Sequence, residues 1–99
     1  MKNKIYKCLE ILGQLPDESE DIEVGVLEEY QELLWSIAPP QEIEEAMVLT
    51  RLFPKSACFG LDWTVLHILE KTPNWPLYEV IEACSSDKWK SVLLERLRV

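Results

Sequence analysis

The sequence is poor in the residue types that carry most active-site chemistry. It has one histidine, and its three cysteines, Cys8, Cys58 and Cys84, are far apart and form no CxxC pair. A tetrahedral zinc site would need that histidine together with all three cysteines, so we expect no metal and no cofactor. Each cysteine has an apolar neighbour, which is typical of free thiols buried in a reducing compartment. The pattern therefore indicates a cytoplasmic protein.

Long apolar runs and glycine-rich loops are missing as well. No window approaches the roughly 18 apolar residues that a membrane-spanning helix needs. The N-terminal lysines and apolar residues are followed by Gln14, Pro16 and Asp17 rather than by the small-residue cleavage site of a signal peptide. Three glycines in the whole chain provide no phosphate-binding loop. We therefore expect no contact with membranes.

Basic residues are absent from a long central stretch. Between Lys7 and Arg51 there is no Lys or Arg, and residues 1–50 carry 12 acidic and 3 basic side chains, whereas residues 51–99 carry 6 and 7. The most acidic part is residues 17–32, where eight of sixteen side chains are carboxylates. Such a field repels nucleic acid and anionic lipid and attracts a basic surface over about 10 Å at ordinary salt. The expected partner is a basic protein, not a nucleic acid.

Apolar residues recur at helical spacing in six segments, and prolines separate most of these segments. The predicted helices cover about residues 2–15, 22–38, 40–53, 60–71, 76–84 and 87–97. Short loops favour antiparallel neighbours, so we predict an all-α fold of three stacked antiparallel helical hairpins. The chain has 99 residues, 47% of them apolar, which fits one compact domain over residues 1–99. A solenoid is the second choice because no internal repeat is visible.

The acidic segment allows three interpretations. Counted from Asp17, it supplies oxygen-bearing residues at five positions of a calcium-binding loop: Asp17, Ser19, Asp21, Glu23 and Glu28. The sixth position, however, is Ile22, where that loop needs the turn conformation of glycine. The sequence therefore disfavours calcium, and it leaves a solvated loop and helix face or a binding surface.

The absence of Lys and Arg from the acidic segment favours a binding surface. Interleaved Lys or Arg would give an exposed helix a few tenths of a kcal/mol for each i, i+4 pair, and none is present. Trp35 falls at the margin of the second helix's apolar face, which is typical of an interface aromatic, although it is also consistent with packing under a neighbouring helix. The predicted partner-binding residues are Asp17, Glu18, Glu20, Asp21, Glu23, Glu28, Glu29, Glu32, Trp35, Glu42 and Glu45.

Catalysis is the least favoured function class. His67 lies one turn from Trp63 on the fourth helix, and no serine elbow, activated cysteine or second acid–base group can be assigned to it. Clustered carboxylates can hold catalytic magnesium, but nuclease-type sites also use a basic group, and none lies near the acids in sequence. We therefore expect that the chain is not an enzyme.

The second half of the chain carries a family resemblance. It lies in residues 52–97, above all in the stretch CFGLDWTVLHILEKTPNWPLYEVIEACSSDKWKSVLLERL, at Gly60, Trp63, Leu66, His67, Glu70, Trp89, Leu93, Leu94 and Arg96. This stretch resembles the C-terminal half of small all-helical immunity proteins of bacterial polymorphic toxin and contact-dependent growth inhibition systems. The resemblance implies a protein that binds the C-terminal catalytic domain of a cognate toxin and blocks it. For a nuclease toxin with a basic cleft, the acidic first half would be the contact. The alternative is a non-enzymatic helical adaptor or structural module whose acidity provides solubility.

Overall fold

The computed structural model describes residues 3–97, and over that range it contains six α-helices and no strand. The helices are α1 (Lys4–Leu12), α2 (Val26–Ser36), α3 (Ile43–Thr50), α4 (Leu61–Leu69), α5 (Tyr78–Glu82) and α6 (Asp87–Arg96). The all-α prediction is confirmed, with one helix in each predicted segment. The predicted first residue of α1, Lys2, lies outside the described residues, and Asn3 caps α1 by accepting from the backbone N–H of Ile5 at 2.8 Å.

Two helices end earlier than their apolar patterns predict. The predicted ends of α1 and α3 were Leu15 and Phe53. In the structure the backbone N–H of Leu15 donates to the carbonyl of Leu52 at 2.9 Å, and the side chain of Gln14 donates to the carbonyl of Phe53 at 3.0 Å. Gly13, with φ of 75°, ends α1, so the Leu15 N–H pairs with Leu52 instead of continuing the helix. Arg51 and Leu52 close α3 by donating to the carbonyls of Val48 and Leu49, three residues back.

The first two helices form an antiparallel pair. The hydroxyl of Tyr6, near the start of α1, donates to the carbonyl of Ala38, just after the end of α2, at 2.7 Å. The hydroxyl of Tyr30, in the first half of α2, donates to the carbonyl of Gly13, just after the end of α1, at 2.8 Å. Start therefore meets end at both places, as in the predicted hairpin.

The hairpins stack with corresponding helices side by side. Near the starts of α3 and α5, Ile43 and Leu77 line the same surface depression. Near the ends of these helices, the backbone N–H of Ser85 donates to the carbonyl of Thr50 at 3.1 Å. α3 lies at the centre of the molecule, since it packs against α1, α4 and α5. Helix pairs stack in this way in solenoids, although no sequence repeat accompanies it here.

α4 and α6 also run in the same direction. Near their starts the rings of Trp63 and Trp89 meet edge to face, with 5.2 Å between centroids. Near their ends Glu70 and Arg96 form a bidentate ion pair with N–O distances of 2.7 and 2.8 Å. Trp89 also stacks on Phe53 at 5.3 Å, and it is buried, as its apolar register predicted.

The segment of residues 55–57 connects α6 to the rest of the chain. The hydroxyl of Ser86, the N-cap of α6, donates to the carbonyl of Lys55 at 3.0 Å. Both the Trp89 indole N–H and the Lys88 ammonium donate to the carbonyl of Ser56 at 2.9 Å. Hydrogen bonds from α6 and its N-cap therefore fix the extended chain between α3 and α4.

The three cysteines are free thiols with different surroundings. Cys58 is buried, Cys84 is partly buried and Cys8 is exposed, so the expectation of a buried thiol is wrong for Cys8, which lies on the outer side of α1. Burial, followed by the nearby carboxylates of Asp62, Glu18 and Asp17, raises the pKa of Cys58 to about 11. This thiol therefore stays protonated at neutral pH and packs as a small hydrophobe.

Candidate protein-binding surface

The outer face of α2 carries most of the exposed acidic side chains predicted to bind a partner. Tyr30 and Leu34 are buried and fix the opposite side of the helix. The exposed residues follow helical spacing on one side of α2 and are Glu28, Glu29, Glu32, Trp35 and Ser36. We call these five residues the α2 outer face.

The carboxylates of this face have no ion-pair partner within residues 3–97. Glu28 and Glu29 lie in the first turn, where the helix dipole favours negative charge. Glu32 lies four residues after Glu28, and like charges at that spacing repel each other. The face is thus held negative without internal neutralisation, although the chain has lysines and arginines elsewhere.

Trp35 projects from the same face. Its side chain is 70% exposed, which excludes the alternative that it packs under a neighbouring helix. It follows Glu28 by seven residues and Glu32 by three, so the indole and both carboxylates share one stripe. An exposed indole among carboxylates can receive a Lys or Arg side chain over its ring while the acids pair with the same cation.

Asp17 does not belong to an exposed patch, and the expectation that it does is wrong. Its Oδ1 accepts from the backbone N–H of Ser56 at 2.8 Å and of Ala57 at 3.0 Å, while its Oδ2 accepts from the N–H and hydroxyl of Ser19. These bonds, led by the Ser19 hydroxyl and the Ala57 N–H, hold the pKa of Asp17 well below its usual range. The carboxylate is buried and ties two loops together.

Glu45 is the second predicted contact residue that the structure buries, so its expected exposure is also wrong. It occupies the third position of α3, and its carboxylate accepts from the backbone N–H of Gln41 at 2.8 Å. This resembles a capping box, because a side chain of the first turn satisfies an N–H just before the helix. Burial, followed by the nearby charge of Glu45, raises the pKa of Tyr6 above its usual range.

The remaining predicted acids are exposed and lie near the two ends of α2. Glu18, Glu20, Asp21 and Glu23 precede the helix, and Glu42 follows it at the start of α3. Glu18 accepts from the backbone N–H of Phe59 at 3.3 Å. Glu20 and Lys55 both line an open depression of about 510 Å³.

Within residues 3–97, no three His, Cys, Asp or Glu side chains are placed to hold a metal ion. Asp17, the first ligand of the calcium frame, already accepts hydrogen bonds on both oxygens. His67 is exposed, with its ring centroid 6.2 Å from that of Trp63. No helix in the described part of the chain is both long enough and apolar enough to cross a membrane.

Three exposed aromatic residues, Phe59, Trp63 and Tyr78, were not predicted as contact residues. Phe59, just before α4, has a side chain that is 64% exposed. The sequence holds a signal for it, because Phe59 lies outside the apolar stripe of α4 and precedes a glycine.

Comparison of the chain with protein-family models, with characterised proteins and with solved structures found no match.

Proposed function

We propose that this chain is an immunity protein that binds a cognate bacterial toxin domain, a nuclease with a basic surface, and neutralises it without any reaction of its own. The observation that carries the proposal is the α2 outer face, where Glu28, Glu32 and Trp35 share one exposed stripe with no ion pair among residues 3–97. In this proposal the α2 outer face contacts the toxin.

The physical argument is charge complementarity around an aromatic anchor. A negative face opposite a basic cleft speeds association and opposes pairing with acidic or neutral surfaces. Trp is enriched among the few residues that contribute most to binding, and Trp35 presents its ring on a helix that is fixed to the core on its other side. The same face would repel nucleic acid. It would therefore bind the basic cleft in which a nuclease holds the phosphates of its substrate, and not the substrate itself.

The family resemblance supports the biological setting, not the contact. Several of its residues have structural roles here, because Trp89 and Leu93 are buried and Glu70 pairs with Arg96. The resemblance therefore bears on the helical scaffold of the second half. The contact residues in the first half follow from charge and exposure alone.

Co-expression tests the proposal directly. The probe is the C-terminal domain of the protein encoded by the adjacent upstream reading frame, expressed in bacteria with and without this chain. We expect wild-type chain to restore growth and to bind the purified domain, with an association rate that falls as ionic strength rises. Changing Glu28, Glu29 and Glu32 together to Lys should abolish both effects and leave the helical content unchanged.

The matched control applies the same charge change to exposed glutamates of α5 and α6, namely Glu79, Glu82 and Glu95. This triple Lys variant should still protect and should lose only part of the association rate through its altered net charge. If the wild-type chain gives no protection, the neutralising role is wrong and the helical adaptor becomes the better interpretation. If protection survives the change on α2, the toxin contact lies elsewhere.

A further inference from the structure

Phe59 is unfavourable for the fold in two respects. Its ring is 64% exposed, and its backbone has φ of 48°, in the left-handed region that glycine or asparagine adopts far more readily. Gly60 follows with φ of 85°, so two consecutive residues have positive φ. A glycine or asparagine at position 59 would build the same turn without exposing an aromatic ring.

The usual structural role of an apolar residue at this position does not apply. A residue just before the N-cap often packs on an apolar residue at the fourth helical position. In α4 the N-cap is Gly60 and the fourth position is Thr64, whose hydroxyl donates to the carbonyl of Gly60 at 3.3 Å. The high exposure of the Phe59 ring agrees with the absence of such packing.

The turn that presents Phe59 is nevertheless firmly held. The backbone N–H of Cys58 donates to the buried carboxylate of Asp62 at 2.8 Å, and the N–H of Leu61 donates to the carbonyl of Cys58 at 2.9 Å. The N–H of Phe59 itself donates to Glu18. Because its backbone is fixed before any partner arrives, binding through this ring would require little further ordering.

A second exposed aromatic residue, Trp63, lies in the first turn of α4, and its side chain is 45% exposed. The covered part of its ring meets Trp89, which is stacked on Phe53 in the core. Phe59 and Trp63 are thus two exposed aromatic residues at the start of α4, and we call them the α4 aromatic pair.

The surroundings of the α4 aromatic pair define the chemistry of its occupant. The carboxylate of Glu18 contacts the backbone of Phe59, and Glu20 and Asp21 follow in the same exposed loop. A second copy of a chain with net charge −8 would bring the same acids to the contact. A partner with Lys or Arg around an apolar pocket would instead find both an aromatic ring and carboxylates.

We propose that Phe59, with Trp63 beside it, is an apolar anchor that enters a pocket of the basic toxin domain, and that Glu18 pairs with a cation at the rim of that pocket. This inference rests on the proposed function, because it assigns a second contact to the same partner. The anchor lies next to Glu18, in the loop that precedes α2. It makes the interface bipartite, with charge and Trp35 on α2 and an aromatic anchor before α4.

The test compares Phe59→Gly with Tyr78→Ala in binding to the purified C-terminal domain encoded upstream. Tyr78 is a matched control because its side chain is also 64% exposed but lies on α5. We expect Phe59→Gly to raise Kd about thirtyfold or more, as for an interface hot spot, and Tyr78→Ala to leave it unchanged. Phe59→Asn, which also tolerates the left-handed conformation, should behave like Phe59→Gly.

A stability measurement separates the anchor from a structural role. The thermal midpoint of Phe59→Gly should equal or exceed that of the wild type, and a marked fall would refute the anchor by showing that the ring supports the fold. Unchanged binding by Phe59→Gly, while the α2 triple variant fails to bind, would overturn the anchor and leave the proposed function standing. If the wild-type chain does not bind the domain, the proposed function fails, and the anchor fails with it. A dimer that is lost in Phe59→Gly would assign the ring to self-association and likewise refute the proposal.

Discussion

At residue 17 the carboxylate is buried and accepts hydrogen bonds from the chain's own backbone, whereas on α2, within the same acidic segment, the carboxylates project into solvent. The two regions differ in what lies opposite them. Asp17 accepts from the backbone N–H groups of Ser56 and Ala57, while no part of residues 3–97 covers the α2 outer face. A carboxylate next to free backbone donors becomes part of the fold, and one without them remains available to a partner.

The substitution with the largest expected effect on stability is Asp17→Asn. The replacement keeps the shape but removes the charge and turns one acceptor into a donor, which cannot serve the N–H groups that Asp17 now binds. We expect Asp17→Asn to lose more unfolding free energy, measured by urea denaturation, than Tyr30→Phe or Phe59→Ala. Asp21→Asn, at an exposed position of the same loop, is the control and should leave the urea midpoint unchanged.

The stability difference between the wild type and Asp17→Asn should also depend on pH. Because the pKa of Asp17 is lowered in the folded state, its contribution is fully present above the unfolded value of about 3.9 and is lost as pH falls towards the folded pKa. The stability difference between wild type and Asp17→Asn should therefore be constant near neutrality and shrink below about pH 4. A difference that stays constant throughout would show that the charge of Asp17 is not what the backbone donors recognise.

Tyr30→Phe tests how α2 is held beneath its acidic face. Loss of the hydroxyl leaves the carbonyl of Gly13 without its 2.8 Å donor, and we expect about 1–2 kcal/mol lower unfolding free energy. Tyr78→Phe, at an exposed tyrosine, is the control.

Burial, followed by the charges of Cys58 and Glu29, raises the pKa of Tyr30 to about 12. Stability from this group is thus present below the unfolded pKa of about 10 and is lost as pH rises towards 12.

Position 59 separates conformational strain from side-chain loss. Because φ is positive there, Phe59→Ala keeps the strain that Phe59→Gly relieves, so we expect the Gly variant to be about 1 kcal/mol more stable than the Ala variant. Chemical denaturation of both proteins measures this difference. An Ala variant as stable as the Gly variant would mean that the left-handed turn is not maintained.

The smallest effect is expected on the α2 outer face itself. Glu32→Gln removes the repulsion from Glu28 at i, i+4 and should raise the unfolding free energy by about 0.2–0.5 kcal/mol at low salt. The gain should disappear at high ionic strength because salt screens exposed charges. A clear loss of stability would show that Glu32 supports the fold, contrary to its exposure.

The sequence predicted the number and approximate position of the helices because apolar spacing and proline are local signals. The early end of α1 at Gly13 was missed although glycine is a local signal for a helix end, whereas the i−3 bonds that close α3 at Arg51 and Leu52 leave no such signal in the sequence. Nor could the sequence separate Asp17 and Glu45 from the other acids. Their donors lie at Ser56, Ala57 and Gln41, and only the folded chain brings the first two near Asp17.

Exposure was easier to predict for whole helix faces than for single residues. The helical spacing of Tyr30 and Leu34 placed the acids of α2 on the opposite side, as observed. Trp35, at the margin of the stripe, allowed both packing and exposure until the structure showed an exposed ring. Phe59 was not predicted although it lies outside the apolar stripe of α4, because its left-handed backbone conformation is visible only in the folded chain.

Residues 55–57 have a consequence for the order in which the chain folds during its synthesis. Asp17 accepts hydrogen bonds from this segment on one side, and Ser86, Lys88 and Trp89 donate to it on the other. A nascent chain that still lacks α6 can form only the first set of these bonds. We therefore expect the segment to take its final position after the ribosome has released enough chain to form the last helix.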